Sequence, residues 1–126
     1  MISTDLLLNK KNWKCLIHSW RGDKLPHALL FHGPAGSGKE GHALELAGLL
    51  NCTASENDEP CGTCPSCKKT KSFQHGSVKL ILPLPRGKIK SSNDPVTKAF
   101  SNSLLKDYLE LLKEKEADPY YSIRVP

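Results

Sequence analysis

The sequence predicts an α/β fold: a partial parallel sheet with flanking helices and an inserted metal-binding module. Three observations carry this expectation. A short apolar run, Ala28-Leu29-Leu30-Phe31-His32, is bounded by Pro26 and Gly33, and a run that short between chain breakers reads as a buried strand rather than a helix. The glycine-rich stretch Gly33-Pro34-Ala35-Gly36-Ser37-Gly38-Lys39-Glu40 follows directly and opens a helical pattern. Cys52, Cys61, Cys64 and Cys67 then cluster beyond that helix.

The elements follow in order. Trp13, Leu16, Ile17 and Trp20 recur at i, i+3, i+4 and i+7, the apolar stripe of an amphipathic helix over residues 12–21. The two tryptophans read as core anchors, and Cys15, apart from the cluster, as a buried inert thiol. Gly22 and Pro26 end this helix before the strand at 28–32. From Lys39 to Asn51, Ala43, Leu44, Leu46, Ala47, Leu49 and Leu50 make a helix apolar over much of its surface, expected to pack on a sheet. Ser55 to Glu59 is a polar, acidic linker within the cysteine region. Val78 to Leu82 is a second apolar run, stopped by Pro83 and Pro85, and Arg86 to Asp94 reads as an exposed basic and polar loop. Leu105, Tyr108, Leu109 and Leu112 restore helical periodicity over 104–116, and the stretch Pro119 to Pro126 is expected to close nothing. No internal repeat is present.

With 126 residues, the chain suits one small domain or a piece of a larger one. A hydrophobic content of 38% and charged content of 25% permit a core and exclude a disordered composition. The formal net charge of +5 permits nucleic-acid contact and equally fits a solvated, lysine-rich surface. No stretch approaches the ~20 apolar residues of a membrane span. In Met1 to Trp13 the leucines precede the lysines, the reverse of a signal peptide. The expected location is therefore cytoplasmic, where clustered cysteines favour a metal site over disulfides.

Gly33, Gly38 and Lys39 satisfy the Gly-x4-Gly-Lys pattern of a phosphate-binding loop, in the strand-to-helix context that gives the pattern meaning. Glycines let backbone N–H groups converge on an anion, the helix start adds a favourable dipole, and the Lys39 ammonium reaches the terminal phosphates. The next position ordinarily holds Ser or Thr, whose hydroxyl ligates Mg²⁺. Here it is Glu40. A carboxylate brought to within a few ångströms of phosphate oxygens is repelled by on the order of several kcal/mol at an effective dielectric of about 20. Unless Glu40 turns outward, binding of ATP or ADP with Mg²⁺ suffers, and hydrolysis is expected to be weak or absent.

Cys61-x2-Cys64-x2-Cys67 supplies three thiolates and Cys52 a fourth. Four sulfurs suit tetrahedral Zn²⁺ with no open position, hence a structural role. Closely spaced cysteines also bind iron, so an iron–sulfur cluster is the rival. Gly62, Thr63, Pro65 and Ser66 are the small and turn-forming residues of tight knuckles, and Lys68, Lys69 and Lys71 offset the thiolate charge. No Ser/His/acid or Cys/His arrangement is readable, so His18, His27, His32, His42 and His75 are assigned packing or surface roles and no catalytic residue is expected.

Taken together, Leu25-Pro26-His27-Ala28-Leu29-Leu30-Phe31, the loop through Glu40, Leu50-Asn51-Cys52, and Pro60-Cys61-Gly62-Thr63-Cys64-Pro65-Ser66-Cys67 resemble the bacterial DNA polymerase III clamp-loader subunits, the AAA+ gamma/tau and delta-prime proteins. The resemblance covers about residues 12–82. It implies a P-loop NTPase fold with a zinc module inserted at about 52–70, and a role in DNA replication. Implied partners are the gamma/tau and delta subunits, with the sliding clamp and primer-template DNA reached through the complex. Glu40 and the Pro83-Leu84-Pro85-Arg86-Gly87-Lys88 continuation look like delta-prime, whose nucleotide site is often degenerate, so the implied role is structural.

The chain departs from the family at His75-Gly76-Ser77, where a His-Pro-Asp run is common. The family's Walker B strand, sensor strand, lid and collar are not recognisable either, so 1–126 is expected to be the N-terminal piece of a longer protein or a truncated reading frame. In an AAA+ sheet the first two strands are not neighbours, so both would be left with unpaired edges. Two other readings stand beside the first. One is an active gamma/tau-type ATPase that tolerates Glu40, and the other a zinc-knuckle nucleic-acid binder using Lys68 to Lys71 and Arg86 to Lys90.

Overall fold

The computed structural model describes residues 1–82, 93 and 101–122. Four helices make up its regular structure: α1 (Lys10–Arg21), α2 (Lys39–Asn51), α3 (Pro65–Lys71) and α4 (Asn102–Ala117). Three lie where periodicity predicts them. The fourth, α3, lies within the cysteine region and escapes a periodicity search, because seven residues present no two-turn apolar stripe.

Helix α1 begins two residues before its predicted start because Asn9 caps it, the side-chain oxygen accepting the Asn12 N–H at 3.2 Å. His18 and Arg21 in the last turn suit the negative end of the helix dipole. Trp13 and Ile17 are buried and Leu16 and Trp20 are half-buried, so the predicted stripe is the packed face. They meet Leu46 and Leu49 of α2, with Leu8 and Phe31 packed at the edge of the cluster. The Trp13 indole N–H donates to the Asp58 carbonyl at 3.0 Å, joining α1 to the cysteine region. Arg21 pairs with the Asp58 carboxylate at the surface, where such pairs contribute up to about 1 kcal/mol. Cys15, expected inside, is exposed. It falls between the packed positions Trp13 and Leu16–Ile17 on the outer face of α1.

Helix α2 is the centre of the structure. One face carries Leu46 and Leu49 toward α1. The face formed by Gly41, Glu45 and Gly48, at i, i+4 and i+7, is a furrow that receives the N-terminal residues. Ile2 lies so close to Gly48 that an added Cβ would sit 2.0 Å from its Cδ1, and Leu6 lies similarly over Gly41. Between the glycines the Glu45 carboxylate is fully buried, at 0% exposure, and accepts the Ile2 N–H at 3.0 Å and the Ser3 N–H at 2.6 Å. A third side of α2 packs against α3.

The expected sheet is not formed among the described residues. Residues 28–32 and 78–82 have no strand hydrogen bonds, and the one bridge is an isolated antiparallel contact between Glu56 and Glu59. Leu30 is 86% exposed, correcting the expectation that the run at 28–32 is buried, and Ile81 in the second run is 88% exposed. A strand exists only as one side of a hydrogen-bonded ladder, and neither run has a partner strand among the described residues. Among the described residues, helix α2 packs on α1, on α3 and on the N-terminal segment. The proline run after Leu82 and the basic residues from Arg86 to Asp94, apart from Asn93, lie outside the described residues.

Burial lifts the Glu45 carboxyl above its ordinary value of 4.5, and the Ile2 and Ser3 N–H groups oppose that rise. The folded state then holds its proton to higher pH than the unfolded chain. The stability contributed by this titration is present below pH 4.5 and is lost as pH rises through the raised value. Glu45→Gln sets an amide NH₂ against one of two backbone donors and is expected to cost about 1–3 kcal/mol in urea denaturation. Wild type should lose stability relative to Glu45→Gln as pH climbs from 4.5, and a difference independent of pH would contradict the assignment.

Candidate metal centre and phosphate loop

The cysteine region is shaped by its own backbone. Gly62 adopts φ +76°, and Cys64 caps α3 with Pro65 in the first turn, a position where a missing N–H costs nothing. The backbone then donates to the sulfurs: Cys61 N–H to Cys52 Sγ at 3.4 Å, Cys64 N–H to Cys61 Sγ at 3.3 Å, and Cys67 N–H to Cys64 Sγ at 3.4 Å. Such donors favour thiolates. Accordingly the Cys67 N–H, with help from Thr53, brings the Cys64 thiol down to about 5, and the Cys64 N–H lowers Cys61. Cys67 is buried, and burial pushes its thiol up to about 12.

All four Sγ atoms lie within 4.8 Å of one another, with Cys61 and Cys67 Sγ 4.0 Å apart. Four sulfurs around a tetrahedral ion at a bond length of about 2.3 Å are separated by about 3.8 Å. The donor set and its spacing therefore fit a four-sulfur metal site, and the four cysteines named from spacing are the four brought together. A dication supplies the charge that the buried Cys67 thiolate otherwise lacks. Around the cluster, the Ser77 N–H donates to His75 Nδ1 at 3.1 Å, which leaves His75 Nε2 to donate to Ser66 Oγ at 2.9 Å. Ser66 in turn donates to the Asn51 carbonyl at 2.7 Å, pinning α3 to the end of α2. His75 thus has the packing role expected of it.

The glycine-rich loop is held differently. Gly33 to Ser37 are exposed, whereas Gly38 is buried at φ +72°, where a Cβ would meet Leu6 and Tyr120 at 2.9 Å. Lys39 Nζ lies 3.4 Å from the Pro34 carbonyl, folded back across the loop. His42 Nδ1 donates to the Gly38 carbonyl at 2.7 Å while Nε2 accepts the Asn9 N–H at 2.9 Å, so one neutral imidazole ties the loop to the cap of α1. An open groove of about 540 Å³ beside the loop is lined by Leu16, Leu29, Phe31, Ser37, Lys39 and His42. His27 and His32 are exposed.

Glu40 points to α4. Its Oε2 is 2.8 Å from Lys115 Nζ, and its Oε1 accepts from Ser122 Oγ at 3.2 Å. Lys115 also donates to the Tyr121 carbonyl. Tyr120 OH accepts the Leu7 N–H at 2.8 Å. Residues 119–122 thus close onto the start of α2, which corrects the expectation that the final stretch closes nothing; 123–126 lie outside the described residues. Sequence patterning did not single out Lys115 or Glu45, because a charged residue at helical spacing carries no mark of burial.

A glycine-rich loop thus heads α2, and a four-cysteine knuckle is docked on that helix's far end. The family described as DNA polymerase III, delta subunit, matches residues 8–114, and the chain belongs to that family, a branch of the AAA+ clamp loaders. It is 32% identical over 111 residues to the DNA polymerase III subunit delta' of Bacillus subtilis (strain 168), covering 88% of this chain and 33% of the relative. It is 40% identical over 58 residues to the gamma/tau subunit of Mycobacterium tuberculosis (strain ATCC 25618 / H37Rv), covering 46% of this chain and 10% of that protein. Protein STICHEL-like 3 of Arabidopsis thaliana is 50% identical over 61 residues, covering 48% of this chain and 6% of that one. The chain thus spans about a third of the length of its Bacillus relative. No solved structure matches it.

Stripped of metal, reduced and titrated with Co²⁺, the chain is expected to develop thiolate-to-metal charge-transfer absorption that saturates at about one equivalent. Cys67→Ala should lose most of that absorption, while Cys15→Ala should keep all of it.

Proposed function

We propose that this chain belongs to a delta-prime-type clamp-loader subunit, a structural member of the assembly that places the sliding clamp on primed DNA. The observation that carries this over a gamma/tau-type ATPase is the reach of the similarity. The delta' relative aligns over 88% of the chain and the gamma/tau relative over 46%. The partners on this reading are gamma/tau and delta subunits, with clamp and DNA contacted through the complex, and the compartment is the cytoplasm. No helix among the described residues is long and apolar enough to cross a membrane.

The phosphate loop, Gly33 to Glu40, is read as a degenerate nucleotide site. Glu40 replaces the hydroxyl that ligates Mg²⁺ in active relatives, and its carboxylate is engaged by Lys115 and Ser122. The glycines keep the shape of the loop, and Lys39 leans on Pro34. Zinc is the metal assigned to Cys52, Cys61, Cys64 and Cys67, since four thiolates with no open position suit a structural Zn²⁺. The ion would fasten the knuckle to the ends of α2 and α3 and takes no part in chemistry. Protein bearing one zinc and no visible absorbance supports this; a coloured, iron-containing protein would replace it with a cluster.

ATP turnover by the natural protein, alone and within the reconstituted clamp-loader complex, tests the reading. Lys39→Ala is expected to leave clamp loading within about twofold of wild type. Turnover traced to this subunit and lost in Lys39→Ala would instead identify a gamma/tau-type ATPase.

A further inference from the structure

We infer that Glu40 is a positioning residue: it anchors a clasp formed by residues 115–122 and is thereby withheld from any metal at the phosphate loop. The inference deepens the degenerate-site reading and rests on it for the biological meaning of the clasp. Its geometry stands independently.

Lys115 is the pivot. Its side chain is 5% exposed, in a helix whose other basic residues face solvent, and a buried ammonium needs partners in place. The partners are the Glu40 carboxylate at 2.8 Å and the carbonyls of Tyr121 and, more distantly at 3.5 Å, Pro119. These groups come from the first turn of α2 and from the chain after α4. Around the pair, Ser122 Oγ donates to the other Glu40 oxygen, Tyr120 OH receives the Leu7 N–H, and the Tyr120 ring stands over Gly38. Three separated stretches of chain, 6–7, 38–40 and 115–122, meet here. Glu40 is 42% exposed, so solvent alone would satisfy its carboxylate; Lys115 is what holds it in place.

A threonine at position 40 carries no carboxylate and would leave the buried Lys115 ammonium with carbonyls alone and no counter-ion. The substitution that disables the metal ligand is thus the one that makes the clasp, which ties the two properties to a single residue.

The test is a double-mutant cycle in the natural protein, with Glu40→Gln, Lys115→Met and both together, read by hydrogen exchange at the amides of 38–42, 118 and 120–122. Each single variant should speed exchange in both segments by about tenfold or more, and the double variant should be no faster than either single. Ser122→Ala, at the rim of the contact, should speed exchange by a few-fold and serves if a Lys115 variant does not fold. Exchange unchanged at 118 and 120–122 in Glu40→Gln, or effects that multiply in the double variant, would overturn the clasp. Repeating the cycle with saturating ADP and Mg²⁺ separates the two readings. Coupling that vanishes would show the carboxylate moving to metal and overturn the inference. Coupling that persists while Mg-ADP binds tightly would keep the clasp and refute the degenerate site instead.

Discussion

The buried Glu45 carboxylate holds the Ile2 and Ser3 amides against α2, and most of the tertiary structure is organised around that contact. A fully desolvated carboxylate is tolerable only where donors are fixed in place. Those donors belong to a segment whose flanking side chains, Ile2 and Leu6, occupy the furrow over Gly48 and Gly41. The segment runs from the cysteine region, where a Cβ at Gly62 would meet the Met1 carbonyl, to the phosphate loop, where Leu6 meets Gly38. One short stretch of chain therefore couples the two chemical features of the molecule, with Glu45 at its midpoint.

The cysteine knuckle follows a complementary logic. Backbone N–H groups stabilise negative charge on Cys61 and Cys64, while burial opposes it on Cys67. In the absence of a cation these demands conflict inside one cluster, and a dication bound by all four sulfurs reconciles them. The hydrogen-bonded series from Ser77 through His75 and Ser66 to Asn51 holds the knuckle on α2, so the site's position does not depend on its ligands alone.

Glu40 shows how a local reading changes in tertiary context. As a residue following Gly38-Lys39, it is a carboxylate directed at phosphate and a defect in a binding loop. Beside Lys115 it is the counter-ion of a buried ammonium. Its carboxylate is turned toward the end of α4, where Lys115 and Ser122 engage it.

Much was legible from residue order: the 3.6-residue stripe of Trp13, Leu16, Ile17 and Trp20, the span of α2, the periodicity of α4, and the four cysteines that come together. These rest on short-range spacing, which helix geometry and tetrahedral coordination translate directly into position. The sheet expected at 28–32 and 78–82 was a different kind of statement, since a strand depends on a distant partner and none is present among the described residues. Only the tertiary structure decided that Gly41, Glu45 and Gly48 form a furrow, that Lys115 is buried, that Cys15 faces outward, and that residues 119–122 close on the phosphate loop. Burial of a charge depends on groups far apart in sequence arriving together, and nothing in local spacing encodes that meeting.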